Sequence, residues 1–302
     1  MVSRTIEFYD DGRTWRNTVS NDSVIHSASP DKITFSHVSP QDSISYTTST
    51  DKIHYTRGQV MGSIQRRSAF KKVFVAPPPP PSPAEIYDSV VAEDSPLAVW
   101  HLDEISGTVA ADSAGAIDGE YIGGVTLGGP SIVATGRPSV LFNGTNSYVR
   151  ILSNPTLNLT AAWTWEAWIF LTTSQGGVVL AEDYPSDNRV LYKMSATGNG
   201  AISPGFYNGS WREVSGGTVS YNTSHHICGS WDGTTLRAYL DGTQVASGNP
   251  GSSPSSGFNG MYIGKRWDNA YAPYYSGRIS EVAVYPTALS ADRVLAHYNA
   301  GI

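Results

Sequence analysis

The chain has a single cysteine, Cys228, among its 302 residues, so an intramolecular disulfide is excluded. It also has no run of about 18 apolar residues, and we therefore expect no membrane-spanning helix. The first residues, Met-Val-Ser-Arg-Thr-Ile-Glu, lack the apolar core of a signal peptide. We expect a protein made in a cytoplasm and not exported by the general secretory route. Cys228 lies in an alternating apolar run, which predicts a buried thiol.

Charged residues are scarce, at 15% of the chain, and the net charge of −6 is unevenly distributed. Residues 1–76 carry ten Lys and Arg against seven Asp and Glu, whereas residues 77–302 carry ten against nineteen. Binding to a phosphate backbone requires clustered positive charge. The acidic second part therefore argues against nucleic acid as the main partner.

Proline is concentrated in residues 76–83, which contain five consecutive prolines followed by Ser-Pro. Such a run adopts the polyproline II conformation and acts as a semi-rigid spacer. We interpret it as a linker between residues 1–75 and residues 84–302; a ligand for a proline-recognition domain is the alternative. Residues 1–75 are polar with short alternating runs, and predict a small β-rich or extended arm that gains order against partner subunits.

Glycine, asparagine and alternating apolar residues are abundant in residues 84–302. Strand-like runs are separated there by turn signals such as Asn208-Gly209 and Asp241-Gly242. A single helix is predicted at the end of the chain, capped by Ser290 and ended by Gly301. Many short strands at this spacing predict an all-β, antiparallel sandwich with a short C-terminal helix.

Five segments occur in order along residues 84–302: Trp100–Ser113, Phe142–Val149, Trp165–Ile169, His225–Gly242 and Gly277–Tyr285. Together they resemble the laminin-G-like, concanavalin A-like jelly-roll domain. The resemblance implies a concanavalin A-like sandwich, a fold of secreted and surface-displayed glycan-binding proteins. It also implies one structural Ca²⁺ ion, with Asp112 and Glu281 as side-chain ligands and carbonyl oxygens near Gly144.

A polar arm, a proline spacer and a C-terminal laminin-G-like module also resemble minor tail or decoration proteins of tailed bacteriophages. This resemblance implies a virion protein that is synthesised in the host cytoplasm without a signal peptide and displayed on the tail or capsid exterior. Residues 1–75 would contact other virion proteins, and the sandwich would face a host cell-surface glycan. A homo-oligomer, specifically a trimer, is the expected assembly, without insertion into a membrane.

The same fold also houses β-glucanases, so the acidic residues have to be considered as catalytic pairs. Retaining glycosidases need two carboxyl groups about 5–5.5 Å apart, which on a strand requires acids at i and i+2 or i+4. Glu166 and Glu281 each stand alone on their predicted strands. His225 and His226 belong to the hairpin that resembles the family and indicate no catalytic triad. We therefore predict a protein without enzymatic activity.

A glycan site needs exposed aromatic rings beside polar groups that bind sugar hydroxyls. Aromatic residues occur here in polar, turn-rich segments, unlike Trp165 and Trp168, which lie in alternating strands. The predicted carbohydrate-binding residues are Tyr184, Tyr207, Trp211, Trp267 and Tyr271. Two alternatives stay open: a purely structural virion subunit without a sugar site, and an accessory module of a bacterial surface glycan-active enzyme.

Overall fold

The structure, a computed structural model, describes residues 79–302 apart from 173–176, 185–188, 197–199, 256, 258–259 and 267–273, and six strands of the preceding part. The chain consists of two compact units, Met1–Pro80 and Pro81–Ile302. In the first unit the six strands pair in sequential order as an antiparallel sheet. They are β1 (Thr5–Phe8), β2 (Thr14–Val19), β3 (Asp22–Ser29), β4 (Lys32–Phe35), β5 (Ile44–Thr47) and β6 (Lys71–Phe74).

The second unit is a sandwich of two antiparallel sheets with two α-helices. Its elements are α1 (Pro83–Ala92), β7 (Ala98–Trp100), β8 (Val109–Ala110), β9 (Gly119–Ile122), β10 (Thr126–Gly129), β11 (Ser139–Asn143), β12 (Tyr148–Leu152), a 3₁₀ turn (Pro155–Leu157), β13 (Trp163–Phe170), β14 (Gly177–Tyr184), β15 (Arg189–Ala196), β16 (Ile202–Tyr207), β17 (Trp211–Glu213), β18 (Ser224–Trp231), β19 (Leu236–Leu240), β20 (Thr243–Gly248), β21 (Gly260–Ile263), β22 (Ser276–Tyr285) and α2 (Ala291–Ala300). One sheet has the order β10-β11-β22-β13-β18-β19-β20, with β7 beside β22. The other has the order β17-β16-β15-β14-β21-β12-β9-β8.

The main core lies between the two sheets, where alternate residues of each strand face inward. In β12, for example, Val149 and Ile151 are buried while Arg150 and Leu152 are exposed. Val149 and Ile151 pack in one apolar cluster with residues of the opposite sheet such as Phe142. The alternation of the sequence is therefore the alternation between the core and the outer faces.

Both helices lie on the outer face of the first sheet, which we call the covered sheet. Tyr87 of α1 and Val294 of α2 share a second apolar cluster with Trp168, Cys228 and Tyr285 of that sheet. The second sheet is called the open sheet, because no helix of the described residues packs on its outer face. None of the helices in this part of the chain is long and apolar enough to span a membrane.

The all-β sandwich predicted from the sequence is confirmed, as are the buried Cys228 and the terminal helix. Ser290 caps α2 through its side chain, and Gly301 ends it. The prediction of a single helix is wrong. Ser82 and Glu85 form a capping box that begins α1, and Pro83 occupies the first turn, where proline is tolerated because its missing N–H would have no partner.

Glu166 is fully buried on the outer face of the covered sheet and is held from several sides. Its carboxylate accepts from Tyr285 Oη at 2.5 Å and contacts His226 Nε2 at 3.2 Å and His297 Nδ1 at 2.9 Å. The Nε2 atom of His297 lies 2.8 Å from Asp94, which directly follows α1. This network, here called the helix clasp, ties α1 and α2 to the sheet because a buried carboxylate requires such partners.

The helix clasp should make stability pH-dependent. Burial opposes the charge on Glu166, but the positive charge of His297 and the hydrogen bonds from both histidines hold the pKa of Glu166 well below its usual value. Burial also opposes the charge on His297, yet Glu166 outweighs it and raises the pKa of His297. The contribution of Glu166 is therefore present above a pH of about 4.3, and that of His297 below about 6.5. Stability is lost as the pH rises through the raised pKa of His297.

We expect His297→Gln to destabilise the protein by about 3 kcal/mol or more near pH 6, since it leaves a buried carboxylate without its cation. The variant should also show a smaller decline in stability as the pH rises above about 6.5, measured by urea unfolding at several pH values. Arg237→Gln is the control, because it breaks a partly exposed pair with Asp232 and should cost less than about 1 kcal/mol. An unchanged pH slope in His297→Gln would contradict the role of the clasp.

Candidate functional site

The outer face of the open sheet presents aromatic and charged side chains. Along one register row, Ala181 of β14 lies beside Tyr262 of β21, which lies beside Arg150 of β12 and then Glu120 of β9. Arg150 and Glu120 form an ion pair on this surface. The strands thus bring residues that are far apart in the chain onto one continuous surface, called the open face below.

Trp211 of β17 lies on the open face across from Tyr207, its register partner in β16. The indole ring packs closely against Gly205. A Cβ atom added to this glycine would lie only 2.9 Å from the Cζ2 atom of Trp211. It also packs on Val178 and Ala181, two buried residues of β14. Trp211 itself is half-buried. One side of the ring therefore rests on the sheet while part of it remains exposed.

Three half-buried tyrosines surround a lysine on the same face. Lys265 Nζ lies 4.6 Å from the ring centroid of Tyr148, 5.4 Å from that of Tyr262 and 5.5 Å from that of Tyr274. The rings of Tyr148 and Tyr262 meet edge to face at 5.8 Å. Cation–π contacts of this kind hold the rings in fixed positions and keep a positive charge among them.

Of the predicted carbohydrate-binding residues, the structure brings Tyr207 and Trp211 together. Tyr184 ends β14, but its side chain is outside the description, and Trp267 and Tyr271 lie outside the described residues. All five assignments stay predictions. Sequence reasoning missed Tyr148 and Tyr262, which alternate with buried apolar residues along β12 and β21 and so point to the outer face.

Asp112 was predicted as a calcium ligand, and it is buried in a network of backbone groups. One carboxylate oxygen accepts from the N–H groups of Val99 and Ala114, at 2.9 and 3.0 Å. The other accepts from the N–H of Ile117 at 2.9 Å. In this arrangement the carboxylate fastens the loop that follows β8 to the strand β7.

Glu281, the second predicted calcium ligand, is buried beside cationic groups. Its carboxylate lies 2.5 Å from His101 Nδ1 and 3.3 Å from Arg137 Nη1. Burial opposes the charge on His101, but the hydrogen bond and charge of Glu281 outweigh it and raise the pKa of His101. A calcium ion would have to displace these partners, so the donors as arranged do not fit it. Among the described residues, no group of three or more His, Cys, Asp and Glu is arranged to hold a metal ion.

The calcium prediction can be tested by stability. If the ion pairs of Glu281 persist, Ca²⁺ at millimolar concentration should leave Tm within about 1 °C of its value in EDTA, because a ligand stabilises only the state that it binds. Differential scanning calorimetry measures this, with Mg²⁺ as the ionic control. A rise in Tm that needs Ca²⁺ and disappears in Asp112→Asn and Glu281→Gln would instead establish the site implied by the family resemblance.

The absence of a catalytic triad stays a prediction, although the structure places His225 between a serine and an acid. Ser220 Oγ lies 2.8 Å from His225 Nε2, and His225 Nδ1 lies 2.7 Å from Asp241 Oδ2. However, the backbone N–H of Ser220 also donates to His225 Nε2, at 3.1 Å. A nucleophilic serine commonly turns its own N–H toward the reacting oxygen. This chain therefore reads as a structural link between the loop before β18 and the turn after β19.

Two stacked antiparallel sheets with these strand orders define a jelly-roll sandwich of the concanavalin A type. The sequence profile of the concanavalin A-like lectin/glucanases superfamily, Laminin_G_3, matches residues 143–295, slightly more than half of the chain. The chain belongs to this superfamily. No curated protein sequence matches it.

Solved structures resemble the sandwich at low sequence identity. The binding domain of Paraclostridial Mosquitocidal Protein 1 has a TM-score of 0.54 and 13% identity, covering 68% of this chain and 52% of that one. Domain 4 of a GH43 extracellular arabinanase from Geobacillus stearothermophilus, in complex with arabinotriose, has a TM-score of 0.51 and 19% identity, covering 67% and 97%. The binding domain of Botulinum Neurotoxin DC in complex with SialylT has a TM-score of 0.50 and 12% identity, covering 68% and 51%. The chain thus spans about half the length of the two toxin domains, and these likenesses show the fold alone.

Proposed function

We propose that the open face binds carbohydrate, with sugar rings stacked on Trp211 and Tyr262. The observation that carries the proposal is the seating of Trp211 on Gly205, Val178 and Ala181, which fixes the indole on the sheet. A ring fixed in this way loses little conformational freedom when a ligand binds, which favours affinity. The Glu213 carboxylate, which accepts from Trp211 Nε1 at 2.8 Å, places a polar group beside the ring for sugar hydroxyls.

The fold supports the same proposal. Two of the similar solved structures are an arabinanase domain with bound arabinotriose and a toxin binding domain with bound SialylT, so sandwiches of this shape occur in proteins that hold sugars. We propose a role in binding rather than catalysis. The open-face carboxylates Glu120 and Glu213 are engaged by Arg150 and Trp211, and Glu166 is enclosed under α2.

For the whole chain we propose a phage virion protein, a minor tail or decoration protein that displays the sandwich toward a host-surface glycan. The support is the architecture inferred from the sequence: a polar arm, a proline spacer and a laminin-G-like module. In this proposal residues 1–75 contact other virion proteins, and the chain is a homo-oligomer, specifically a trimer. The structural Ca²⁺ ion implied by the family resemblance belongs to the proposal only if Glu281 is released from His101 and Arg137.

A purely structural role is the second candidate, and one observation favours it. Leu152 and Val109 lie on the open sheet with 71% and 52% of their surface exposed. Exposed aliphatic side chains near aromatic ones are typical of protein–protein contacts. In that case the open face would pack against a neighbouring subunit instead of a sugar.

Glycan-array binding by the full chain tests the carbohydrate proposal. Trp211→Ala and Tyr262→Ala should each lower the signal by about tenfold or more, since loss of one stacking ring costs on the order of 1–2 kcal/mol. Trp211→Phe should keep part of it, because a smaller ring remains. Leu295→Ala, an exposed position on α2, is the matched control and should bind as the wild type does.

Folded protein that binds no glycan on the array, and whose mass by light scattering is that of an oligomer sensitive to Leu152→Asp, would favour the structural role. Release of reducing sugar from a bacterial cell wall would contradict the non-enzymatic assignment. Each of these outcomes replaces the carbohydrate proposal with a named alternative.

The virion proposal is tested by electron microscopy of phage particles with gold-labelled antibodies to residues 84–302. We expect labelling on the tail or on the capsid exterior, with a pre-immune antibody as the control. Particles that contain no labelled protein, together with labelled protein on bacterial cell surfaces, would support the accessory-module alternative instead.

A further inference from the structure

The aromatic rings of the open face follow a line that crosses the strands. Trp211 of β17 packs against the pair Val178 and Ala181 of β14, and Ala181 is the register partner of Tyr262 in the neighbouring strand β21. The ring of Tyr262 in turn contacts Tyr148 of β12, the next strand. Three aromatic rings therefore follow one another across the sheet, from Trp211, which reaches β14, to Tyr262 of β21 and Tyr148 of β12.

Strand spacing sets the length of this line. Neighbouring strands lie about 4.8 Å apart, so the path from above β14 to above β12 covers roughly 10 Å. This is longer than a single sugar ring. Along the strand direction the surface is different: the outward residues of β12 are Tyr148, Arg150 and Leu152, of which only the first is aromatic. The rings thus favour a ligand that runs across the strands.

Polar groups accompany the line at both ends. Glu213 is hydrogen-bonded to Trp211 at one end. At the other end lie Lys265, 4.6 Å from the centroid of Tyr148, and the paired Arg150 and Glu120. Sugars present hydroxyl groups at their edges and C–H groups on their faces, so a row of rings with charged groups beside it suits several consecutive sugar units.

We propose that the open face binds an extended, internal stretch of a linear oligosaccharide, lying across the strands from Trp211 over Tyr262 to Tyr148, and not a single terminal sugar. This inference rests on the proposed carbohydrate-binding function and names its ligand class. Trp211 and Tyr262 form the part that engages the first units. Tyr148, held by Lys265, engages a further unit that short ligands do not reach.

Isothermal titration calorimetry with linear arabino-, cello- and chito-oligosaccharides of two to six units tests the inference. For the series that binds, affinity should rise by about tenfold between the disaccharide and the tetrasaccharide and then level off, since each added stacking contact contributes and the line then ends. Tyr148→Ala should remove that rise, so that the tetrasaccharide binds no more tightly than the disaccharide. Tyr148→Phe should restore the rise, because the ring is kept.

Leu152→Ala is the matched control, since Leu152 lies on the same strand and face but off the line; its affinities should follow the wild type at every length. Circular dichroism and Tm verify that each variant is folded. Equal affinity for all lengths, or a rise that survives in Tyr148→Ala, would overturn this inference and leave the carbohydrate-binding proposal standing. Failure of every series and of the glycan array to bind would instead refute the proposed function itself.

Discussion

The arrangement of the second unit depends on one buried carboxylate. Glu166 lies on the outer face of the covered sheet without contact to solvent, and a charge in that position is tolerated only when partners surround it. Those partners come from β18, β22 and α2, and His297 extends the network to Asp94 beyond α1. The same contacts that satisfy the charge therefore fix where both helices dock. Without the helices this face of the sandwich would be exposed to solvent. With them it forms a second buried core, lined by Trp168, Cys228 and Tyr285.

This asymmetry gives the two sheets different uses. The helices and the loop that carries Arg137 occupy one outer face, so its polar residues serve folding. On the other outer face, small residues such as Gly205 and Ala181 lie below Trp211, and tyrosines stand in the neighbouring strands. A rigid sheet that presents aromatic rings is a preorganised surface, because its side chains are already held by the strands and by one another. The carbohydrate-binding proposal follows from this difference: the outer face of the covered sheet is buried under the helices, whereas the open face displays its aromatic rings.

Much of the sandwich could be predicted from sequence because its signals are local. Alternating apolar residues and turns such as Asp241-Gly242, where both residues have positive φ, define strands without knowledge of the partner strand. The helix α1 was not predicted because its capping-box pattern, Ser82-Pro83-Ala84-Glu85, overlaps the end of the proline run, and proline is typical of a spacer as well as of a first helical turn. The site was harder to predict. Tyr148 and Tyr262 lie in alternating strands, where an aromatic residue is usually taken as core, and only the register shows that they share the outer face. Ser220, His225 and Asp241 meet because a hairpin folds back, which no spacing rule in the sequence encodes.

Gly205 has a consequence for how such a surface can change over evolutionary time. Its backbone is not in the left-handed region, so conformation alone does not require glycine there. The requirement is space: a methyl group would meet the carbonyl oxygen of Arg212 at 2.6 Å and the indole of Trp211 at 2.9 Å. A residue that would touch no ligand thus determines how closely the tryptophan lies on the sheet. In related chains, ligand preference could then change through substitution of the residue that lies under the aromatic ring, while the aromatic residue itself stays the same.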